Sequence, residues 1–378
     1  MNPRILVLTN IFPTAKRPMS GSYVDDRVEA HRELGAHVTV VPLRMRTTSA
    51  LGVWMSRTGR DSHRAGPGQD VGAEYKMTIA RMLESHRGAP LDALISEAAH
   101  EVERLVDVSS FDAIHAHGMF RVPAGAVAHR LSQKHGVPYV VTAHGSDINF
   151  GMPKRPALFV DTLAAARSVM YVSPALLRTA VDLGAPQANA IVTPNGVDPD
   201  VFAEGPAERE PVVLYVGGLA KVKGADRLPE IFRSILAKSP KTRFEIVGGG
   251  ALESQIRAGL DGVPVTWHGT LPREGVARAM QGAALLIIPS RNEGWPCVVH
   301  EAFACGTPVV ATDVGGLAAA VGVPEWIVAD GPEVEERLAS TASTVLSSRQ
   351  DRGALRATAE KHSWRAVAAT ELTAMGLA

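Results

Sequence analysis

Cysteine is almost missing from this chain: Cys297 and Cys305 are the two in 378 residues. A disulfide framework is therefore excluded, and the sparse usage fits a reducing compartment. Net charge is missing too, because 39 basic residues balance 39 acidic ones. No electrostatic footprint for nucleic acid exists, so no nucleic-acid partner is expected. Aromatic residues make up 5% of the chain, too few for the stacking platforms that hold single strands. No apolar run reaches the length needed to span a bilayer. The opening MNPRILVLTN runs straight into a strand and lacks a signal-peptide core. A cytoplasmic protein is expected, with at most peripheral contact at the inner membrane face. The first strand–loop–helix lacks G-x-G-x-x-G, so a dinucleotide cofactor is not supported. No Asp-x-Asp metal site is apparent, and neither metal nor cofactor is expected.

What is present is an apolar content of 46% spread over a length that suggests two domains. The most informative stretch is NEGWPCVVHEAFACGTP, residues 292–308. Ala284 to Ile288 before it reads as a buried parallel strand. A Pro-Ser-Arg-Asn-Glu-Gly turn follows. Pro296 then sits in a helix's first turn, and Gly306 and Pro308 stop that helix. Glu293 thus lies on a loop at the carboxyl end of a strand, and Glu301 in the following helix. Ligands of open α/β sheets bind in that crevice. N–H groups after Gly294 suit a phosphate. The two flanking carboxylates would repel phosphate, but they suit vicinal hydroxyls. A phosphate seat between two hydroxyl seats describes a nucleotide-sugar.

Glu293-x7-Glu301 followed by ACGTPVVAT resembles the signature of GT4-type retaining glycosyltransferases of GT-B fold. The resemblance covers nearly the whole chain apart from about residues 44–90. It implies two doubly wound, Rossmann-like α/β domains facing each other across a cleft. The expected limits are residues 1–200 for an acceptor-side domain and 201–360 for a nucleotide-sugar domain. A tail helix, 361–378, would cross back to the first domain.

In chain order, strands are expected at Ile5–Thr9, His37–Leu43, Phe111–His117, Pro138–Ala143, Ser168–Val172 and Ala190–Val197. The second half adds Val212–Leu219, Arg243–Val247, Val265–Gly269, Val309–Thr312 and Trp326–Ala329. Helices are expected at Val24–Leu34, Leu91–Val106, Val122–Lys134, Leu158–Ala166, Pro174–Leu183 and Ala225–Ala237. Residues 44–90 look irregular and carry Arg44, Arg46, Arg57, Arg60 and Arg64. They read either as a basic surface for a phosphorylated or lipid-linked acceptor or as a solvated loop.

The resemblance also implies site residues. Gly21 matches the glycine at the mouth of the first helix, where backbone nears the donor phosphates. HGSD, residues 144–147, resembles the loop over the donor sugar. That places His144 near the leaving group and gives Asp147 a role toward donor or acceptor. His115, His117 and His144 could alternatively form a zinc site, but DAIHAHG and HGSD both look like family motifs that bind no metal. In GGLAKVKG, residues 217–224, Lys223 matches the family lysine that neutralises the diphosphate. Gly218 stands where the family has arginine, and Lys221 is the candidate substitute. Glu293 is expected to act on the donor sugar. Gly294, Trp295, Pro296, Cys297 and Val298 should line the donor, and Glu301 should hold the ribose.

The activity implied is retaining transfer of a sugar from a nucleotide diphosphate to an acceptor hydroxyl. Natural-product, glycolipid and cell-surface polysaccharide synthesis are all compatible. UDP is the more frequent family donor, ahead of GDP. Other classes share parts of this pattern. A bilobed binding protein would share the two-domain architecture but normally carries an export signal. A nucleotide-sugar-binding protein without turnover and a nucleotide-sugar 2-epimerase also fit.

Overall fold

The computed structural model describes residues 2–13, 21–47, 73–77, 91–119, 123–206 and 208–378. The chain divides into two compact units, Met1–Pro194 with Val367–Ala378, and Asn195–Ala366.

The first unit is built on a seven-stranded parallel sheet. Its strands are β1 (Arg4–Thr9), β2 (His37–Thr47), β3 (Ala73–Met77), β4 (Ala113–His117), β5 (Tyr139–Ala143), β6 (Ser168–Tyr171) and β7 (Ala190–Val192). Their order is β3-β2-β1-β4-β5-β6-β7, the doubly wound pattern that reverses direction beside β1. Ile5 to Leu8 and Ala113 to Ala116 are buried continuously, as strands covered on both faces require. The last helix, Trp364–Met375, contributes Leu372 and Met375 to a core with Ile5, Val7, Val24 and Val28.

The second unit has six parallel strands. These are β8 (Val212–Val216), β9 (Arg243–Val247), β10 (Val265–Gly269), β11 (Leu285–Ile288), β12 (Val309–Asp313) and β13 (Ile327–Ala329). Their order is β10-β9-β8-β11-β12-β13, reversing between β8 and β11. Phe232 and Phe244 stack in its core with centroids 4.2 Å apart. Two Rossmann-like sheets with covering helices make up the chain, as the sequence pattern implies.

Several elements depart from the sequence reading. The stretch 44–90 contains a strand, because β3 pairs in parallel with the far end of β2. Arg44 and Arg46 lie on β2, but their side chains, and Arg57, Arg60 and Arg64, fall outside the described residues. The strand expected to reach Val197 stops at Val192, two residues before Pro194, which has no N–H to extend a ladder. The helix expected from Ala225 starts at Leu228, behind two short 3-10 turns, Lys221–Lys223 and Ala225–Arg227. Four helices went unread: Arg273–Gly282, Leu317–Val321, Val334–Ser347 and Arg352–Glu360.

Candidate active site

In the second unit, the loops after β8, β9, β11 and β12 all leave the carboxyl edge of the sheet. They pack backbone against backbone. Gly224 has φ +65°, and a Cβ there would be driven into the Pro289 carbonyl. Gly315 has φ +57°, and a Cβ there would strike the Glu293 carbonyl, which also accepts from the Gly316 N–H at 3.2 Å. Only glycine fits both requirements.

That packing sets Glu293. Both its oxygens accept from the Lys223 ammonium at 2.8 Å, and Ser290 Oγ donates to Oε1 at 2.7 Å. The Glu293 side chain is 9% exposed and the Lys223 side chain 40% exposed, so the pair opens to solvent on the lysine side. Arg291 stitches two loops together. Its guanidinium holds Asp226 at 2.6 and 3.0 Å and donates to the Lys221 carbonyl at 2.8 Å. The Lys221 side chain is exposed and, among the described residues, its ammonium makes no ion pair. Gly218 is exposed, and nothing lies within 4 Å of the position its Cβ would take. The first atom of a side chain at this position would stand in open space.

Gly294 leads into the helix Cys297–Ala304, whose N-cap residue is Pro296. Pro296 precedes the first turn rather than sitting in it. No side chain caps this end. Its first-turn N–H groups are therefore suited to an anion. Cys297, Val298 and Glu301 are half-buried on this helix, with Glu301 one turn after Cys297. Trp295 is 7% exposed and stacks on His300 at 5.3 Å with an interplanar angle of 14°. Burial lowers His300 to about 3, so the ring under Trp295 is neutral.

The first unit gathers Gly21, His144 and Asp147 at the carboxyl ends of β1, β4 and β5. Gly21 has φ +77° at the mouth of the helix Ser22–Glu33 and packs on Ile11. His144 Nε2 lies 3.2 Å from His117 Nδ1, and the Tyr23 ring lies 4.8 Å from His144. Burial and the Arg27 charge hold His144 well below its ordinary value. Asp147 is 2% exposed. It accepts from the Gly145 N–H at 2.8 Å, the Ile148 N–H at 3.0 Å and the His144 N–H at 3.1 Å. Burial raises its carboxyl against the effect of those bonds. Its oxygens are thus committed to shaping the 144–148 loop.

The three histidines weighed as zinc ligands are used otherwise. His115 Nε2 meets Thr142 Oγ1 at 2.7 Å, and His117 is bonded to His144. A different trio, His31, His115 and Glu371, places ligand atoms within 4.8 Å of one another. Arg27 already sits on Glu371 at 3.0 Å, and its positive charge opposes a cation there. Sequence reasoning missed Ser290, Arg291 and Asp226. Ser290 and Arg291 lie in the turn already singled out. Arg27 and Glu371 are 344 positions apart, and no local pattern joins them.

The family described as Glycosyltransferase Family 4 matches residues 20–201, and Glycosyl transferases group 1 matches residues 210–348. The teichuronic acid biosynthesis glycosyltransferase TuaC of Bacillus subtilis is 30% identical, covering 84% of this chain and 83% of its own. Sucrose-phosphate synthase from Thermosynechococcus elongatus has a similar structure, with a TM-score of 0.69 at 20% identity, covering 98% of both chains. Anabaena HepE in complex with UDP and glucose aligns with a TM-score of 0.68 at 16% identity, covering 99% of this chain and 100% of that one. The chain belongs to glycosyltransferase family 4 and has the GT-B fold.

Proposed function

We propose that this glycosyltransferase moves a sugar from a nucleotide diphosphate, UDP before GDP, to an acceptor hydroxyl with retention. The observation that carries the reading is the Lys223–Glu293 pair beside an uncapped helix start, with Glu301 one turn into that helix. The helix N–H groups and Lys223 receive the diphosphate, Glu301 the ribose hydroxyls and Glu293 the donor sugar. In this structure Lys223 is paired with Glu293. Donor binding exchanges partners: the ammonium turns to the diphosphate, and the carboxylate to sugar hydroxyls. The departing phosphate then takes the acceptor's proton, and no protein nucleophile is required. Positioning and charge stabilisation are the protein's share of the catalysis. Support for UDP comes from the Anabaena relative, whose structure holds UDP and glucose.

A second reading is a nucleotide-sugar-binding protein without turnover. Gly218, with open space where the family carries a cation, favours it. Thermal-shift screening against UDP, GDP, ADP and their sugars would identify the donor. Turnover of that donor with a panel of acceptors, followed by NMR of the anomeric configuration, then tests the transfer. An inverted product would overturn retention. Tight donor binding with no product from any acceptor would favour the second reading.

A further inference from the structure

Pro289, Ser290 and Arg291 open the loop that follows β11, and neighbouring segments fix them one by one. The Pro289 carbonyl accepts from the Arg227 guanidinium at 2.9 Å. The Ser290 carbonyl accepts from Thr312 Oγ1 at 2.6 Å. The Arg291 N–H donates to the Val222 carbonyl at 2.9 Å. Ser290 is 1% exposed and Thr312 is fully buried. With the backbone on both sides of it clamped, the Ser290 hydroxyl is a preorganised donor.

Its target is the Glu293 carboxylate. Ser290 Oγ donates to Oε1, while the Lys223 ammonium donates to both oxygens. Among the described residues, these are the two side chains that hold this carboxylate. An ionised carboxylate has no hydrogen to give, so the Ser290 bond has one direction. Oε1 carries two donors, and Oε2 carries one.

The two partners are held differently. Lys223 reaches Glu293 from the solvent side on a flexible stem. Ser290 reaches it from the buried side on a short one. The torsion that turns a terminal carboxylate is soft, so a carboxylate without partners samples many orientations. Once Lys223 turns to a diphosphate, Ser290 is the partner that stays. It keeps Oε1 facing inward, and Oε2 then has both lone pairs open.

We infer that Ser290 is a positioning residue for the transfer: it holds the Glu293 carboxylate in one orientation while Lys223 is on the diphosphate, so that Oε2 meets a hydroxyl of the donor sugar. The inference rests on the transferase reading and adds to it a residue that acts only through another. Its consequence is conditional. With Lys223 on Glu293, loss of the Ser290 hydroxyl leaves the carboxylate held by the ammonium. With Lys223 on the diphosphate, the same loss leaves it unheld.

The test compares wild type, Ser290→Ala, Glu293→Ala and the double variant. Without nucleotide, Ser290→Ala should melt with the wild type, and its calorimetric affinity for UDP should be unchanged. Its kcat with UDP-glucose should fall roughly ten- to hundredfold, the size expected for a hydrogen bond to a charged group. In the Glu293→Ala background the Ser290 substitution should cost nothing further, because no carboxylate is left to hold. Crystals grown with UDP read the same point without turnover. Wild type should show one Glu293 orientation, bonded to Ser290, with Lys223 on the diphosphate; Ser290→Ala should show several. Full kcat in Ser290→Ala, an equal loss in both backgrounds, or one shared Glu293 orientation in both crystals would overturn the inference. So would a UDP affinity or nucleotide-free Tm that falls in step with kcat, since that pattern is loss of fold. If UDP-glucose gives no product with wild type, the two crystals still decide. If Ser290→Ala does not fold, the wild-type crystal decides, and a Glu293 released from Ser290 there overturns the inference. Lys223 still on Glu293 in the wild-type UDP complex would instead sink the donor-site reading itself, and this inference with it.

Discussion

At the scale of residues, the proposed function divides the donor between the two acids of the central motif. Glu301 is expected to hold the ribose, and losing a charged hydrogen-bond partner costs about 1.5–3 kcal/mol. Glu301→Ala should weaken binding of the nucleoside diphosphate at least tenfold in calorimetry; unchanged affinity would remove it from the ribose. Glu293 is expected to meet the sugar. Glu293→Gln should cut turnover strongly while leaving nucleoside diphosphate affinity nearly intact. A parallel loss of both would mean the loop has collapsed. In the proposed mechanism Lys223 faces a charge that grows as the sugar leaves, so its contribution would belong to the transition state. Lys223→Ala should lower turnover by roughly 10²–10³-fold, the size expected for one preorganised electrostatic donor. Lys221 stands on the same short 3-10 turn. Lys221→Ala should cost a smaller but measurable factor, and full activity would place the compensating cation elsewhere.

At the scale of elements, loop shape depends on glycines that bring one carbonyl against another chain segment. Gly315→Ala imposes a positive φ on a residue with a Cβ, at roughly 1–2 kcal/mol, and drives that Cβ into the Glu293 carbonyl. The expected variant keeps its fold, melts a few degrees lower and loses most of its turnover, because the Glu293 loop moves. Wild-type kcat with a lowered Tm would show that the loop absorbs the clash without moving the carboxylate. Much of the element order was legible. β11 falls within the apolar run that marked it, because buried parallel strands are nearly continuous in Val, Ile and Leu. The helix Val334–Ser347 buries Val334, Leu338, Ala339, Ala342 and Val345, a regular stripe, but alanine, serine and threonine dilute its contrast. Candidate site residues can be nominated from sequence where they share one motif, as Glu293 and Glu301 do. The site was illegible where tertiary contact makes the partner, as with Lys223 on Glu293 or Glu371 on Arg27. The backbone N–H groups that the Asp147 carboxylate accepts from are likewise set by the folded loop and not by the motif.

At the scale of the whole molecule, buried titratable groups are unevenly distributed. The first unit contains the row His115, His117 and His144 with Glu371, and the second contains His300. Burial is the main cause of the lowered histidine values, and His115 and His300 are each brought to about 3. At Glu371, burial alone would raise the carboxyl. The charge of Arg27 and the His31 hydrogen bond overcome it and hold Glu371 to about 2. A histidine lowered by folding binds more protons when unfolded. Stability therefore rises with pH between the folded and unfolded values, from about 3 to 6.5 for His115 and His300, and is lost as pH falls through that window. Glu371 has the same sign between about 2 and 4.5. Asp147, raised by burial, opposes them just above 3.8. Each lowered histidine contributes up to about 1.4 kcal/mol per pH unit inside its window. With more such groups in the first unit, acid should separate the two melting transitions. Calorimetric scans from pH 7.5 to 4.5 should find the transition of the first unit falling faster than that of the second. Hydrogen exchange on β4 and β5 would identify which is which. Parallel transitions, or a Tm flat from pH 7 to 5, would mean that the histidine row takes up protons without cost to the fold.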